Sequence, residues 1–213
     1  MGGHWYLARP ERLTTSEFLQ AASAVSADGA TLAFVSYAIG TGNDIWGLPL
    51  RGDHRPEIVV QTRFEEAYPD FSPDGHWLAY ASDESGHSEV YVQPYPGPGP
   101  RQQVSTAGGT GPAWSRDGRE LFYTTSQTVG GQAAFTRMMS VPIALGPTFT
   151  ARVPHQLFDG KYGASALIRS YDVAPDGRHF LMVQQKERPP ISATEMILVL
   201  HWGDELKARV PVK

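Results

Sequence analysis

Cysteine is absent from the 213 residues, so disulfides, thiol catalysis and cysteine-ligated zinc are excluded. Charge is sparse: Asp, Glu, Lys and Arg make up 19%, and the net charge is −4. No basic excess is left to hold a phosphate backbone, which argues against nucleic acid as a partner. Long apolar runs are missing as well. A run such as Met196 to Leu200 is far too short to span a bilayer, which predicts no membrane insertion. The first ten residues lack a basic stretch followed by an apolar one, so no signal peptide is read there. Helical patterning is nearly absent, with only residues 204–209 suited to a short terminal turn. What remains is rich in glycine (22) and proline (17), with 41% hydrophobic residues. That balance predicts an all-β chain with many turns and a substantial core.

The tetrapeptide Ser72-Pro73-Asp74-Gly75 recurs in variant form as Ser26-Ala27-Asp28-Gly29, Ser115-Arg116-Asp117-Gly118 and Ala174-Pro175-Asp176-Gly177. Each follows a short apolar or aromatic stretch and precedes a strand-like run such as Thr31-Leu-Ala-Phe-Val-Ser36 or Trp77-Leu-Ala-Tyr-Ala-Ser82. The turn glycines stand at 29, 75, 118 and 177, giving intervals of 46, 43 and 59. The last interval is long because of an insertion between Ser126 and Pro154. Gly takes a positive φ without a Cβ clash, and Asp bonds its own backbone, so the pair suits a tight hairpin. Downstream, Asp44-Ile-Trp-Gly-Leu-Pro-Leu50 corresponds to Glu89-Val-Tyr-Val-Gln-Pro-Tyr95. Weaker strands follow at residues 56–60, 101–104 and 154–158.

Each unit therefore reads as four strands, and units of this period are propeller blades. The rival is a β-sandwich of hairpins, which internal repetition disfavours. The expectation is an all-β propeller of about four blades, at residues 18–62, 63–106, 107–160 and 161–202. Residues 1–17 supply strands of a closing or truncated blade. Two arrangements stay open. A strand at 11–15 completes the fourth blade and closes a four-bladed ring, or the chain starts in mid-blade and a second copy covers its edges as a homo-oligomer. Phe71 and Trp114, just before their turns, are expected to pack between blades.

The run Tyr68-Pro-Asp-Phe-Ser-Pro-Asp-Gly75, with Trp77-Leu-Ala-Tyr-Ala-Ser-Asp-Glu-Ser-Gly86 and Glu89-Val-Tyr-Val92, resembles the TolB-like propeller repeat. So does Gly111-Pro-Ala-Trp-Ser-Arg-Asp-Gly-Arg-Glu-Leu-Phe-Tyr123. Tyr95-Pro-Gly-Pro-Gly99, Val104-Ser-Thr-Ala-Gly-Gly109 and Val199-Leu-His-Trp-Gly-Asp-Glu-Leu206 are similar to C-terminal propellers of bacterial serine/threonine kinases. The resemblance covers residues 11–207. It implies a propeller of six or seven blades in most relatives, against about four here, and a periplasmic or extracytoplasmic parent. Kinase motifs and a Gly-x-Ser-x-Gly elbow are missing from this sequence.

No residue set amounts to a catalytic signature. The four turn aspartates are explained by their hairpins. Residues 83–89 gather Asp83, Glu84, His87 and Glu89, conceivable calcium ligands but read as a loop capped by Gly86. No His-Glu-x-x-His pair exists. Strand A of each blade starts near the propeller axis, which nominates Glu65 and Glu66 from the second blade and Arg169 from the fourth. Glu65, Glu66, Arg169 and His201 are the catalytic candidates. Glu65, Glu66, His4 and His201 are the candidates for a divalent metal that would activate water. Arg169 suits a carboxylate or phosphate, or a salt bridge to Glu65 or Glu66. No cofactor motif is evident. The leading expectation is a binding module for a peptide, protein or glycan. The alternatives are a metal-assisted hydrolase or lyase, and a shortened sensor propeller without activity of its own.

Overall fold

The computed structural model describes residues 11–97, 99–129, 132–146, 148–163, 165 and 167–184. Every regular element among them is a β-strand. Strands β1 (Gln20–Val25), β2 (Thr31–Ala38), β3 (Gly42–Pro49) and β4 (Glu57–Val60) form one antiparallel sheet in chain order. Strands β5 (Glu66–Phe71), β6 (Trp77–Ser82), β7 (Glu89–Pro94) and β8 (Gln102–Gln103) form a second with the same order. The third joins β9 (Thr110–Trp114), β10 (Glu120–Val129), β11 (Gln132–Ala144) and β12 (Thr150–Ala151), and β13 (His155–Gly160) also pairs with β11. Strands β14 (Tyr171–Val173) and β15 (Phe180–Met182) begin a fourth.

The turns explain why the strands pair in this register. Ser72 Oγ donates to Asp74 Oδ1 (2.5 Å) and accepts from Trp77 N (2.9 Å), while Gly75 N donates to Ser72 O (2.9 Å) at φ 75°. The same bonds hold at Ser26–Asp28 and Ser115–Asp117. Each turn thus consumes the polar groups of a hairpin end and fixes which residues face which sheet.

Strand β6 is buried at all six residues, because it is sandwiched on both faces. Side chains alternate along a strand. Leu78 and Tyr80 therefore join Ala33, Ile45 and Phe71 in a core between the first and second sheets. Trp77 and Ala79 join Trp114, Leu121, Tyr123 and Val141 between the second and third. Phe122 and Met138 meet Tyr171 and Phe180 between the third and fourth. Each fully buried aliphatic or aromatic side chain contributes about 1.5–3 kcal/mol, so these three inter-sheet cores dominate the stability of the array. Phe71 and Trp114 pack between sheets as their positions before the turns imply.

Among the described residues, 11–15 carry no strand, and Thr14 donates from its hydroxyl to the Gln20 side chain (2.7 Å); the end of the fourth unit, which they are expected to complete, lies outside the described residues. The insertion after Ser126 is largely strand: β10 and β11 extend as one hairpin paired from Glu120–Pro142 to Val129–Gln132. The end of the fourth unit (residues 185–202), the turn at 204–209, His4 and His201 lie outside the described residues.

Candidate functional site

Strand A of the second and third sheets carries the same irregularity. The pairing of β5 with β6 slips between Ala67 and Asp70, and that of β9 with β10 slips opposite Gly111 and Pro112. The residue before each bulge proline is left-handed: Tyr68 at φ 57° and Gly111 at φ 58°. Glycine tolerates this conformation, whereas tyrosine pays about 1–3 kcal/mol for it. In return the Tyr68 side chain crosses toward the fourth unit, where its hydroxyl donates to the Ser165 carbonyl. Burial pushes the Tyr68 phenol above its ordinary pKa.

Tyr68 lines a cavity of about 20 Å³ together with Thr110, Thr124, Arg169, Ser170 and Tyr171. That is room for about one water. Thr110 and Thr124 face each other, their hydroxyls 3.2 Å apart. Three strand-A ends, from the second, third and fourth units, thus converge on one mouth rich in hydroxyls.

Arg169 ties that mouth together. Its Nη1 donates to Pro112 O (3.0 Å), its Nε donates to Tyr171 O (3.2 Å), and Nη1 stands 3.5 Å from Asp70 Oδ2. Tyr171 adds a hydroxyl bond to Gly111 O (2.7 Å). Asp70 also accepts from Trp114 N (2.9 Å). Burial raises the Asp70 carboxyl, with the Arg169 charge pulling the other way. The carboxylates that meet Arg169 are therefore Asp70 and the more exposed Asp172 (Nη2 to Oδ1, 3.6 Å), rather than Glu65 or Glu66: its guanidinium lies over the bulge of β9, where the backbone carbonyl of Pro112 is free to accept.

Glu65 and Glu66, though adjacent, do different things because successive side chains point to opposite faces. Glu65 is exposed and reaches back to the first sheet, accepting from Asn43 N (3.0 Å) where Gly42 leaves room for it. Its own amide donates to Asp83 Oδ1 (3.0 Å). Glu66 is fully buried, accepting from Thr62 Oγ1 (2.5 Å) and Ser82 Oγ (3.4 Å) on a single oxygen. Burial raises its pKa above the usual carboxylate range, and the Asp44 charge adds to the shift.

Residues 83–89 behave as a structured loop. Gly86 closes its turn at φ 94°, with its amide on Asp83 O (2.8 Å). The carboxylates there are taken up separately: Glu84 pairs with Arg101, and Glu89 binds Ser105 Oγ, Gly108 N (2.9 Å) and His87 (2.7 Å). No group of three or more His, Asp or Glu side chains arranged to hold a metal occurs among the described residues.

Sequence reasoning overlooked Tyr68, Asp70 and Asp44. Tyr68 was detectable: aligned on the turns, Tyr68-Pro69 falls on Gly111-Pro112, placing a bulky residue where its repeat uses glycine. Asp70 and Asp44 gave no such signal, since their meaning depends on neighbours from other sheets.

No family model and no curated protein matches this sequence. Solved structures do match in fold. A protein described as TolB from Agrobacterium tumefaciens superposes with a TM-score of 0.62 at 17% identity, over 79% of this chain and 59% of that one. TolB from Acinetobacter baumannii gives 0.58 at 16% identity, over 84% of this chain and 40% of that one. An oligogalacturonate lyase in complex with manganese gives 0.55 at 14% identity, over 81% and 49%. The chain thus spans between 40% and 59% of the length of these structures. Identity this low speaks to fold alone. With two four-stranded antiparallel units, a third in which β13 adds a fifth strand, and the start of a fourth, the chain has the TolB-like β-propeller fold.

Proposed function

We propose that this protein is a β-propeller binding module that presents the strand-A mouth and its flanking loops to a peptide, protein or glycan. The observation that carries this reading is Tyr68. A tyrosine is held in a left-handed conformation where the next repeat uses glycine, at the rim of a cavity formed by three units. Backbone strain of this kind persists where surrounding structure over-determines it, and it clusters at sites of recognition. The groups around it are neutral hydroxyls plus one guanidinium, which suits hydrogen bonding to backbone amides or sugar hydroxyls. A cavity of about 20 Å³ encloses no substrate, so a ligand lies across the mouth. An extracytoplasmic parent protein fits such a role.

The test is thermal unfolding and calorimetry against panels of extended peptides and oligosaccharides, with the ligand checked by mass spectrometry afterwards. A binding module gives saturable stabilisation that follows ligand concentration and leaves the ligand intact. Tyr68→Phe, which removes only the hydroxyl, weakens it. Ligand cleavage that stops with chelator would instead favour the metal-assisted hydrolase or lyase reading built on Glu65, Glu66 and Arg169.

A further inference from the structure

The boundary between the first and second sheets holds two buried carboxylates where the next boundary holds one. Asp44 and Glu66 are both fully buried. Asp44 Oδ2 accepts from Thr41 Oγ1 (2.7 Å) and Gln61 Nε2 (3.0 Å), and Glu66 Oε1 accepts from Thr62 and Ser82. The other oxygen of each, Asp44 Oδ1 and Glu66 Oε2, is buried with no hydrogen-bond partner. Among the side chains of the first two sheets, the ion pairs of Arg and His go to other carboxylates.

The repeat supplies its own control. Glu89 is the counterpart of Asp44 by strand pairing, the two lying opposite the equivalent Ser82 and Ser36; aligned on the following turn, Ser105 is the counterpart of Thr62 and Gly109 that of Glu66. At that second boundary the lone carboxylate of Glu89 is satisfied on both oxygens, by Ser105 Oγ on one and by Gly108 N and His87 on the other. Ser105 crowds the Gly109 position, where a Cβ would fall 2.5 Å from its Oγ. The first boundary therefore carries one more buried carboxylate, fewer donors for each carboxylate and two orphaned oxygens in an otherwise equivalent frame. A buried charge left uncompensated costs several kcal/mol, so it is paired or coordinates a cation.

We propose that Asp44 and Glu66 form a site for a hard, oxygen-seeking divalent cation, Ca²⁺ in the first instance, that pins the first blade to the second. The two orphaned oxygens supply the charge. Thr62 Oγ1, Ser82 Oγ and water supply neutral ligands, the mixture that hard cations accept. Access is at hand: a groove of about 560 Å³ between the two sheets is lined by Gln61 and Thr62, the residues that hold the two carboxylates in place. With only two carboxylates the affinity is weak, on the order of 10⁻⁴ M.

The experiment uses the full chain, stripped with chelator and titrated with Ca²⁺, then separately with Mg²⁺ and Mn²⁺. Calorimetry, thermal unfolding and native mass spectrometry report the outcome. The site predicts one ion per chain and a saturable rise in Tm of several degrees. Asp44→Asn and Glu66→Gln each weaken binding at least tenfold, and Glu57→Gln, an exposed carboxylate on the same groove, leaves it unchanged. Should the two variants fail to fold, the wild-type chain still decides. Tb³⁺ bound at Glu66 would be sensitised by Tyr80, which lies in the core between the same two sheets, two residues from Ser82 opposite Glu66, and excess Ca²⁺ would quench that emission. The proposal is overturned by an absence of saturable binding or Tb³⁺ emission in the wild type. It is equally overturned by unchanged affinity in folded Asp44→Asn and Glu66→Gln. A metal-insensitive protein that Glu66→Gln makes more stable would show that a proton, rather than a cation, neutralises the pair.

Discussion

Tyr68 and Gly111 hold the same place in consecutive sheets, and both are left-handed, at φ 57° and 58°. One position is built for glycine and the other bears an aromatic ring, so the two report separately on backbone strain and on side-chain use. At Gly111 an added Cβ meets only ordinary contacts, with Arg169 Cγ at 3.5 Å and Tyr171 Cε1 at 3.7 Å. Gly111→Ala therefore isolates the conformational cost, about 1–2 kcal/mol, measured by urea unfolding. At Tyr68, Ala keeps the strain and loses the ring, whereas Gly loses the ring and relieves the strain. Tyr68→Gly should be more stable than Tyr68→Ala by about 1 kcal/mol. Equal stabilities would mean that the left-handed backbone is not strained.

Arg169 is the second case in which one residue links several units. Its removal breaks hydrogen bonds to Pro112 O and Tyr171 O and leaves the Asp70 carboxylate with the amide of Trp114. Arg169→Met should cost about 2–4 kcal/mol, since a largely buried carboxylate loses its counter-charge. Arg169→Lys should recover only part of that, because a point charge cannot reproduce the guanidinium fork. Adding Asp70→Asn to Arg169→Met removes the stranded charge while keeping an acceptor for Trp114. A double-mutant cycle should then show favourable coupling between the two sites; strict additivity would refute the pairing.

The repeat, the hairpin turns and the four-strand units were legible in the sequence because each is local: a turn residue and a period-2 strand lie within a dozen positions of each other. Phe71 and Trp114 could be assigned to the inter-sheet cores for the same reason, through their fixed offset from the turn. The candidate site was much less legible. Glu65 and Glu66 were nominated by position, but position did not reveal that one caps a loop of the previous sheet while the other is buried beneath it. The link from Arg169 to Asp70 spans 99 residues of sequence and depends on how the units stack. Asp44 reads as an ordinary strand residue in the sequence; its buried, unpartnered oxygen at the boundary that also buries Glu66 emerges only from the stacking of the sheets.

The fourth turn departs from the pattern by having Ala174 where the others have serine. Its backbone bonds are kept, with Ala174 N on His179 O (2.9 Å) and Gly177 N on Ala174 O (2.9 Å). The missing hydroxyl is replaced by Asp176, which accepts from His179 N (3.2 Å) and stands 2.5 Å from His179 Nδ1. Ser72→Ala should cost about 1–2 kcal/mol, because Trp77 N is left buried without an acceptor. Ala174→Ser should stabilise the protein by a smaller amount. Chemical denaturation of the two variants side by side is the check, and a neutral Ser72→Ala would remove the turn hydroxyl from the account.

The turn carboxylates give a pH signature. The Arg178 amide, followed by the His179 ring, holds the Asp176 carboxyl down at about 2. Asp28 and Asp117 are also lowered, chiefly by the hydroxyls of Ser26 and Ser115. A carboxyl with a depressed folded pKa contributes stability that is fully present above its unfolded value of about 3.9. The contribution is lost as pH falls through the folded value. Carboxyl-carbon NMR of the folded chain should show Asp176 still ionised at pH 3, and an ordinary titration midpoint would contradict the turn geometry.

At the alkaline end the relevant groups are Tyr80 and Tyr123, which occupy equivalent positions in β6 and β10. Burial between sheets pushes both phenols up to about 12, and Tyr171 is raised as well. An acid whose folded pKa is raised stabilises the fold in its neutral form, and that advantage declines once the unfolded chain begins to ionise near 10. Stability should therefore fall as pH rises from about 10 to about 12. Ultraviolet titration of the nine tyrosines should be biphasic, with exposed phenols ionising first and the inter-sheet ones ionising near 12 or abruptly with unfolding. Tyr80→Phe leaves Gln93 without its 3.2 Å hydroxyl contact, yet it removes a buried phenol and should shift alkaline unfolding to higher pH. A single titration phase near 10 would mean that the cores on either side of β6 admit solvent, and the packing that makes these sheets into blades would have to be redrawn.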